Sequence, residues 1–303
     1  MLTDTTIDVL RSMERDGIAV IPNFLTTNQL KGMQTAFDAR LRHVRWNDID
    51  GYEKERFRHV IEDVLTLDQG FVDAALHPLV KETLREYVGD RYQLVEAKGW
   101  RSLPTRRNFH GWHGDAWYDQ TNLDFIPREV KLGVYLTAVQ SGFFEYVRQS
   151  HQKQAPHPVP DRQLGNIPAS MIAQVKGPAG TGFLFDTSGI HRQTVPILEA
   201  RSAVFYNYHD PSLPLQKEAV DYYRYHPLLL NAAFLRNLSE EDCRILGFGD
   251  QRNYFLAFSR RQKYPRLQCV FETLLDATVA WSSLRERVEA GLTRVLRSAR
   301  LSG

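Results

Sequence analysis

The stretch Trp112-His113-Gly114-Asp115 constrains this chain more than any other. Side chains of an extended strand alternate with a period of two, so His113 and Asp115 point to one face. One imidazole and one carboxylate aimed at one point supply two-thirds of a 2-His-1-carboxylate set. That set holds non-haem Fe(II) on one face of an octahedron and leaves the other positions open. The missing ligand should be a histidine from a distant strand. Of the ten histidines, His191 fits best, because it follows the run Phe183-Leu-Phe-Asp186 and a tight Thr-Ser-Gly turn. His110 is the rival partner of His113, but three residues apart on a strand the two face opposite sides. His77 precedes Pro78 and reads as a helix-entry residue. His151, His157, His209 and His226 lie in loops or beside proline and read as surface or supporting groups.

The three open positions suit a bidentate 2-oxo acid and then O2. A 2-oxo acid such as 2-oxoglutarate also carries a distal carboxylate, and burying that charge requires a hydrogen-bonded cation. Arg201 opens an alternating strand with Ala203, Phe205 and Asn207, and a guanidinium is a two-pronged, permanently charged partner. Alone, His-x-Asp or a single arginine is more often an ordinary strand or surface residue. The ordered set of His-x-Asp, distal His and following Arg carries the signal.

Composition bounds the rest. A chain of 303 residues, 43% hydrophobic and 24% charged, has the composition of a globular protein of one large or two small domains. A net charge of +2 with no basic run gives no footprint for nucleic acid. Two cysteines, Cys243 and Cys269, make no disulfide framework and fit a reducing compartment. The polar N-terminus is unlike a signal peptide, and no apolar run is long enough to span a membrane. The expectation is a cytoplasmic protein.

Along the chain, residues 6–15 read as a helix stopped at Asp16-Gly17, and Ile18 to Pro22 as a strand. A helix capped at Thr26 or Thr27 carries Leu30, Met33, Phe37 and Leu41 on its inner stripe. Residues 43–68 read as loop with some helix, and a helix runs from Pro78 to Tyr87. From Tyr92 short strands take over: Tyr92–Lys98, Lys131–Thr137, Phe143–Val147, Gly182–Asp186 and Arg201–Tyr208, with a Pro-rich loop at 155–168. Such strands with Gly- and Pro-rich connections predict a sandwich or jelly roll. After Pro214 the pattern turns helical. Ser239-Glu-Glu-Asp242 looks like a capping box with Asp in place of Glu. A helix from about Leu267 to Leu301 has an apolar stripe suited to packing on the core or on a second copy of the chain.

These residues resemble the phytanoyl-CoA dioxygenase family of Fe(II)/2-oxoglutarate oxygenases over roughly residues 10–210. The likeness runs through Asp16 to Leu25, Leu76-His77-Pro78, the Trp112 to Asp115 motif, Ser150-His151, Gly182 to His191 and Arg201. It implies an α+β fold in which a double-stranded β-helix (a cupin-like jelly roll) at about 92–210 is flanked by N- and C-terminal helices. The whole of 1–303 would then form one domain with a helical extension from about 215. It further implies Fe(II) on His113, Asp115 and His191, 2-oxoglutarate on Arg201, and O2 as oxidant. Decarboxylation to succinate and CO2 would accompany hydroxylation of a small molecule. Two departures are noted. Gln193 stands where the family often has a small hydroxyl residue, and Val147-Arg-Gln-Ser150 lacks the usual Pro-Gly. Gln193 and Arg101 are the candidates to assist Arg201.

Two other functions compete. A halogenase would lack the carboxylate, which Asp115 supplies. A non-catalytic β-barrel binding protein would have no need of the full ligand set. For the substrate, Arg101, Arg106, Arg107, Asn108 and His110 with Trp117 and Tyr118 point to a small metabolite with an acidic or polar end. The loop Trp117 to Arg128 reads as a cover over the mouth of the site.

Overall fold

Glycine and threonine set the first boundaries. Helix α1 (Asp4–Asp16) is N-capped by Thr3 and ends at Gly17, whose φ of 76° lies in the left-handed region that a side chain disfavours. Strand β1 (Ile18–Ile21) follows directly. Helix α2 (Thr27–Leu41) starts on a reciprocal box between Thr26 and Gln29, and buries Met33 and Phe37. After β2 (Arg58–Ile61) and α3 (Gln69–Ala75), helix α4 (Pro78–Tyr87) begins with Pro78 in its first turn. Nδ1 of His77 accepts from the Leu79 N–H, so His77 is the helix-entry residue the sequence indicates.

The remaining strands are β3 (Gln93–Ser102), β4 (Val130–Tyr135), β5 (Val139–Val147), β6 (Ile172–Gly177), β7 (Gly182–Asp186), β8 (His191–Gln193) and β9 (Arg201–His209). A short helix α5 (Glu240–Ile245) starts on Ser239, and Asp242 completes the box as its position predicts. The computed structural model describes residues 2–42, 57–109, 111–115, 117–119, 123–153, 167–216, 228–235, 237–248 and 281. The chain divides into two compact units, Met1–Ser259 and Arg260–Gly303, and every element named here belongs to the first.

All strand pairing is antiparallel, in a six-stranded sheet ordered β1-β7-β4-β9-β3-β2 and a three-stranded sheet ordered β6-β5-β8. The large sheet is buried on both faces, which is why Gly182 to Asp186 reads as one apolar run rather than an alternation. Its outer face sends Leu132, Val134, Leu184, Val204 and Tyr206 into one cluster with Met33, Phe37, Val80 and Leu84 of the helices. Its inner face sends Tyr135, Phe183, Phe185 and Ala203 against Phe144, Tyr146 and Val175 of the small sheet. Each such side chain contributes about 1.5–3 kcal/mol on burial. An exposed ion pair gives about 0–1 kcal/mol, so the two clusters and not the surface charges hold the sheets.

Three strands escaped the sequence: β8 is only three residues long, at the expected distal histidine. β2 lies in a stretch read as loop and helix, and β6 follows the Pro-rich segment without an alternation strong enough to mark it. The helix expected at about 267–301 lies outside the described residues, with any role in pairing two copies. So do most of the Pro-rich segment and His110, His157, His226 and Cys269. Among the described residues, no helix is long and apolar enough to cross a membrane.

Candidate active site

The site forms where the segment 111–115 crosses the end of β8. His113 and His191 face each other as a narrow antiparallel bridge. The His113 N–H donates to the His191 carbonyl at 3.0 Å, and the reverse bond is 2.8 Å. Two residues on, the Asp115 N–H donates to the Thr187 carbonyl at 2.8 Å. Backbone pairing therefore fixes where the two imidazoles and the carboxylate emerge. Nδ1 of His113 sits 2.7 Å from the Gly111 carbonyl, and Nδ1 of His191 sits 2.9 Å from the Gly189 carbonyl. Those contacts place the ring proton on Nδ1 in both, which makes Nε2 the nitrogen able to ligate a metal.

Nε2 of His113 lies 3.8 Å from Asp115 Oδ1, and Nε2 of His191 lies 3.8 Å from Asp115 Oδ2. One donor atom from each residue comes within 4.8 Å of the other two. The electrostatics suit a cation. Burial, helped by the neighbouring His113, pulls the His191 pKa down to about 3, so the ring is neutral. Burial alone would push the Asp115 carboxyl up. The Lys131 ammonium and the two imidazoles outweigh it and hold the carboxyl below the usual range, ionised. Two neutral imidazoles and a carboxylate are the donor set of non-haem Fe(II).

Lys131 was not visible as a site residue. Its Nζ donates to Asp115 Oδ2 at 2.5 Å and stands 5.6 Å from the Trp117 ring. The one available signal was its position at the head of an alternating strand, where it shares the inner face with Gly133 and Tyr135.

Arg201 lies on the same inner face and is 5% exposed. Neither Nε nor Nη1 has a hydrogen-bond partner, and the guanidinium stands 5.9 Å from the Tyr135 ring. A guanidinium buried without an acceptor costs free energy unless a ligand supplies one. The register pairs Arg201 with Ser102, and Gln193 Nε2 reaches the Ser102 hydroxyl at 3.5 Å, with Gln193 Oε1 unpartnered. Gln193 thus reaches the register partner of Arg201. Arg101 does not: it pairs across the strands with Ser202 and donates to that hydroxyl at 3.0 Å. Residues 101 and 102 face opposite ways, so it is Ser102 and not Arg101 that shares the face of Arg201. His209 also departs from expectation. It closes β9 rather than a loop, is fully buried beside Tyr118, and burial lowers its pKa to about 3.

The turn before His191 is anchored from behind. Asp186 accepts from the Tyr87 hydroxyl at 2.8 Å and from the Ser188 N–H and hydroxyl at 3.0 and 2.6 Å. Ser150 accepts from the Ile190 N–H at 2.7 Å. Tyr87→Phe should cost roughly 1–3 kcal/mol, because it removes a donor from a buried carboxylate. Urea denaturation should show a lower midpoint; equal midpoints would mean the bond contributes nothing.

A family model described as phytanoyl-CoA dioxygenase (PhyH) matches residues 13–192. The chain belongs to the phytanoyl-CoA dioxygenase family. No curated protein matches it. Among solved structures, this family member is similar to the carbocyclase SnoK from nogalamycin biosynthesis, a non-haem alpha-ketoglutarate-dependent enzyme. Identity is 16% over 69% of this chain and 85% of that one, with a TM-score of 0.55. It is similar to the epimerase SnoN in complex with Fe3+, alpha-ketoglutarate and nogalamycin RO, at 15% identity over 73% and 89%, TM-score 0.54. It is also similar to HygX from Streptomyces hygroscopicus with nickel, 2-oxoglutarate and hygromycin B bound, at 19% identity over 69% and 87%, TM-score 0.50. Likeness at this identity is likeness of fold. As a phytanoyl-CoA dioxygenase family protein, the chain is an iron- and 2-oxoglutarate-dependent oxygenase.

Proposed function

We propose that this oxygenase hydroxylates, or otherwise oxidises, a small organic metabolite in the cytoplasm, with release of succinate and CO2. His113, Asp115 and His191 hold Fe(II), Arg201 receives the distal carboxylate of 2-oxoglutarate, and Gln193 assists through its unpartnered amide oxygen. The observations that carry this reading are a converging His-Asp-His set and, on the inner face of the large sheet, a buried Arg201 whose Nε and Nη1 have no hydrogen-bond partner. The two antiparallel sheets, packed through the Tyr135, Phe144 and Phe183 cluster, are read as the layers of a double-stranded β-helix. The catalytic domain is assigned to Met1–Ser259, with its core at about 92–210.

When bound, the iron and cosubstrate activate O2 for attack on an unactivated carbon. The chain's own residues do the positioning. Backbone pairing of 113 with 191 sets the two imidazoles, the Gly111 and Gly189 carbonyls fix their tautomers, and Lys131 orients the carboxylate. The ligands bound by SnoN and HygX, nogalamycin RO and hygromycin B, favour a substrate from secondary metabolism. Arg106 and Arg107, which in the sequence point to a substrate with an acidic end, stand exposed, where a charge gains little. The polar end of the substrate is therefore not assigned from them.

Protein purified without oxygen and then given Fe(II), ascorbate, 2-oxoglutarate and air should form succinate. Absence of succinate from folded, iron-loaded protein would favour the non-catalytic binding protein. Asp115 speaks against a halogenase, whose iron needs that position open for halide.

A further inference from the structure

Next to the proposed iron site stands a group that the site does not use. Glu129 immediately precedes β4 and is 2% exposed, yet neither carboxyl oxygen has a well-aligned hydrogen bond. Its surroundings identify where it points. Val130 pairs with Asp186 and Tyr208, both of which bond toward the helices through Tyr87 and Ala75. Glu129 therefore shares the opposite, inner face with Lys131. Its backbone carbonyl accepts from the Thr187 N–H at 2.9 Å, and the Thr187 carbonyl accepts from the Asp115 N–H at 2.8 Å. Three segments thus run side by side, with Glu129 one segment away from Asp115. The Thr187 hydroxyl is wholly buried and has no hydrogen bond either. The side chain of Asn207, the register partner of Lys131, stands beside the Glu129 carboxyl.

The charges nearby are already matched. Lys131 is paired with Asp115, so Glu129 keeps only the Asn207 side chain beside it, and the Thr187 hydroxyl keeps no hydrogen bond. Burial pushes the Glu129 carboxyl well above the usual carboxylate range, against the pull of Lys131. Such a group costs stability, and a buried polar group without a partner needs an explanation. Costs of this kind concentrate where a ligand completes the bonding.

We propose that Glu129, with Thr187, forms a substrate-recognition subsite that takes a hydrogen-bond-donating group, a hydroxyl or an amine, of the organic substrate beside the iron site. This rests on the oxygenase reading above and assigns the polar character of its substrate. The subsite selects donors over carboxylates and phosphates: burial already disfavours a negative charge at Glu129, an incoming anion would add another in the same buried place, and a donor gives the carboxyl oxygens a partner.

The test uses the full chain and three ring-matched probes: cyclohexanol, cyclohexylamine and cyclohexanecarboxylate. Binding is read anaerobically from the visible charge-transfer band of the Fe(II)–2-oxoglutarate complex, and turnover from probe-stimulated succinate. The alcohol or the amine should perturb the band of the wild type, and the carboxylate should not. Glu129→Leu should weaken that response by about tenfold or more, the scale of one lost buried hydrogen bond. Glu129→Gln should keep the response to the alcohol and lose it to the amine. Iron content and the 2-oxoglutarate KM should not move in either variant. Glu129→Leu should melt at a higher temperature than the wild type in the absence of ligands, because it removes a buried polar group, and Glu129→Gln should melt no lower than the wild type. A lower melting temperature with loss of iron would make Glu129 a structural support of Lys131 and overturn the proposal. So would a response to the carboxylate alone, silence towards both donors, or variants that respond as the wild type does. If the wild type itself gives neither the band nor succinate, it is the oxygenase reading that fails.

Discussion

Asp115→Ala is expected to abolish succinate formation and to leave the protein unable to retain Fe(II) through a desalting column. Asp115 supplies the only carboxylate of the three-residue donor set among the described residues, and both histidine Nε2 atoms lie 3.8 Å from its oxygens. Two neutral imidazoles alone bind divalent iron weakly and leave its charge uncompensated in a buried site. The variant has a second effect that must be separated from the first. Lys131, with its side chain 15% exposed, loses its partner when the carboxylate goes. Breaking a buried pair in this way costs roughly 3–5 kcal/mol, toward the lower figure here because some water reaches the pair. The double variant Asp115→Ala/Lys131→Met should therefore be more stable than Asp115→Ala alone while remaining inactive. Thermal melts, elemental iron and succinate read the three quantities independently. Retained iron and turnover in a folded Asp115→Ala protein would remove the carboxylate from the ligand set.

The ease of reading this site differed residue by residue, and the difference has a physical pattern. His113 and Asp115 were legible because strand alternation is local: two residues apart means one face, whatever the rest of the chain does. Gly17, Thr26, His77 and Ser239 were legible for the same reason, since caps are decided within four residues. Arg201 could be proposed because it heads an apolar-alternating strand, so its side chain had to enter the protein. What failed depended on pairing between distant segments. Arg101 and Ser102 are indistinguishable until β3 is set against β9, and a one-residue choice moves the side chain to the other face. β2 is a strand because the edge of β3 offers it a partner; its own four residues give no period to detect. Lys131 and Glu129 look like the ordinary charged ends of a strand. Only the Thr187 crossing, which joins residues 115, 129 and 187, shows that they border the candidate iron site. Sequence patterns report which way a side chain points within its element, and the site required knowing what lies opposite.

The same reasoning gives Arg201→Ala its expected magnitude. The guanidinium is buried, with Nε and Nη1 lacking acceptors, and burial lowers its pKa against an opposing effect of Tyr135. A carboxylate arriving there gains a two-pronged, charge-assisted contact in a dry setting, the strong form of this interaction. Removing one member of such a pair costs roughly 3–5 kcal/mol, and every 1.4 kcal/mol is about tenfold, so the 2-oxoglutarate KM should rise by about two orders of magnitude or more. Iron content should be retained, because the His-Asp-His set does not include Arg201. Arg201→Met separates binding from folding. It keeps the apolar stem over Tyr135, removes the unpartnered charge, and should raise the melting temperature without cosubstrate while losing the shift that 2-oxoglutarate gives the wild type. An unchanged KM in either folded variant would mean that the distal carboxylate binds elsewhere. The orphaned guanidinium would then need another anion, and the first to try is the substrate itself.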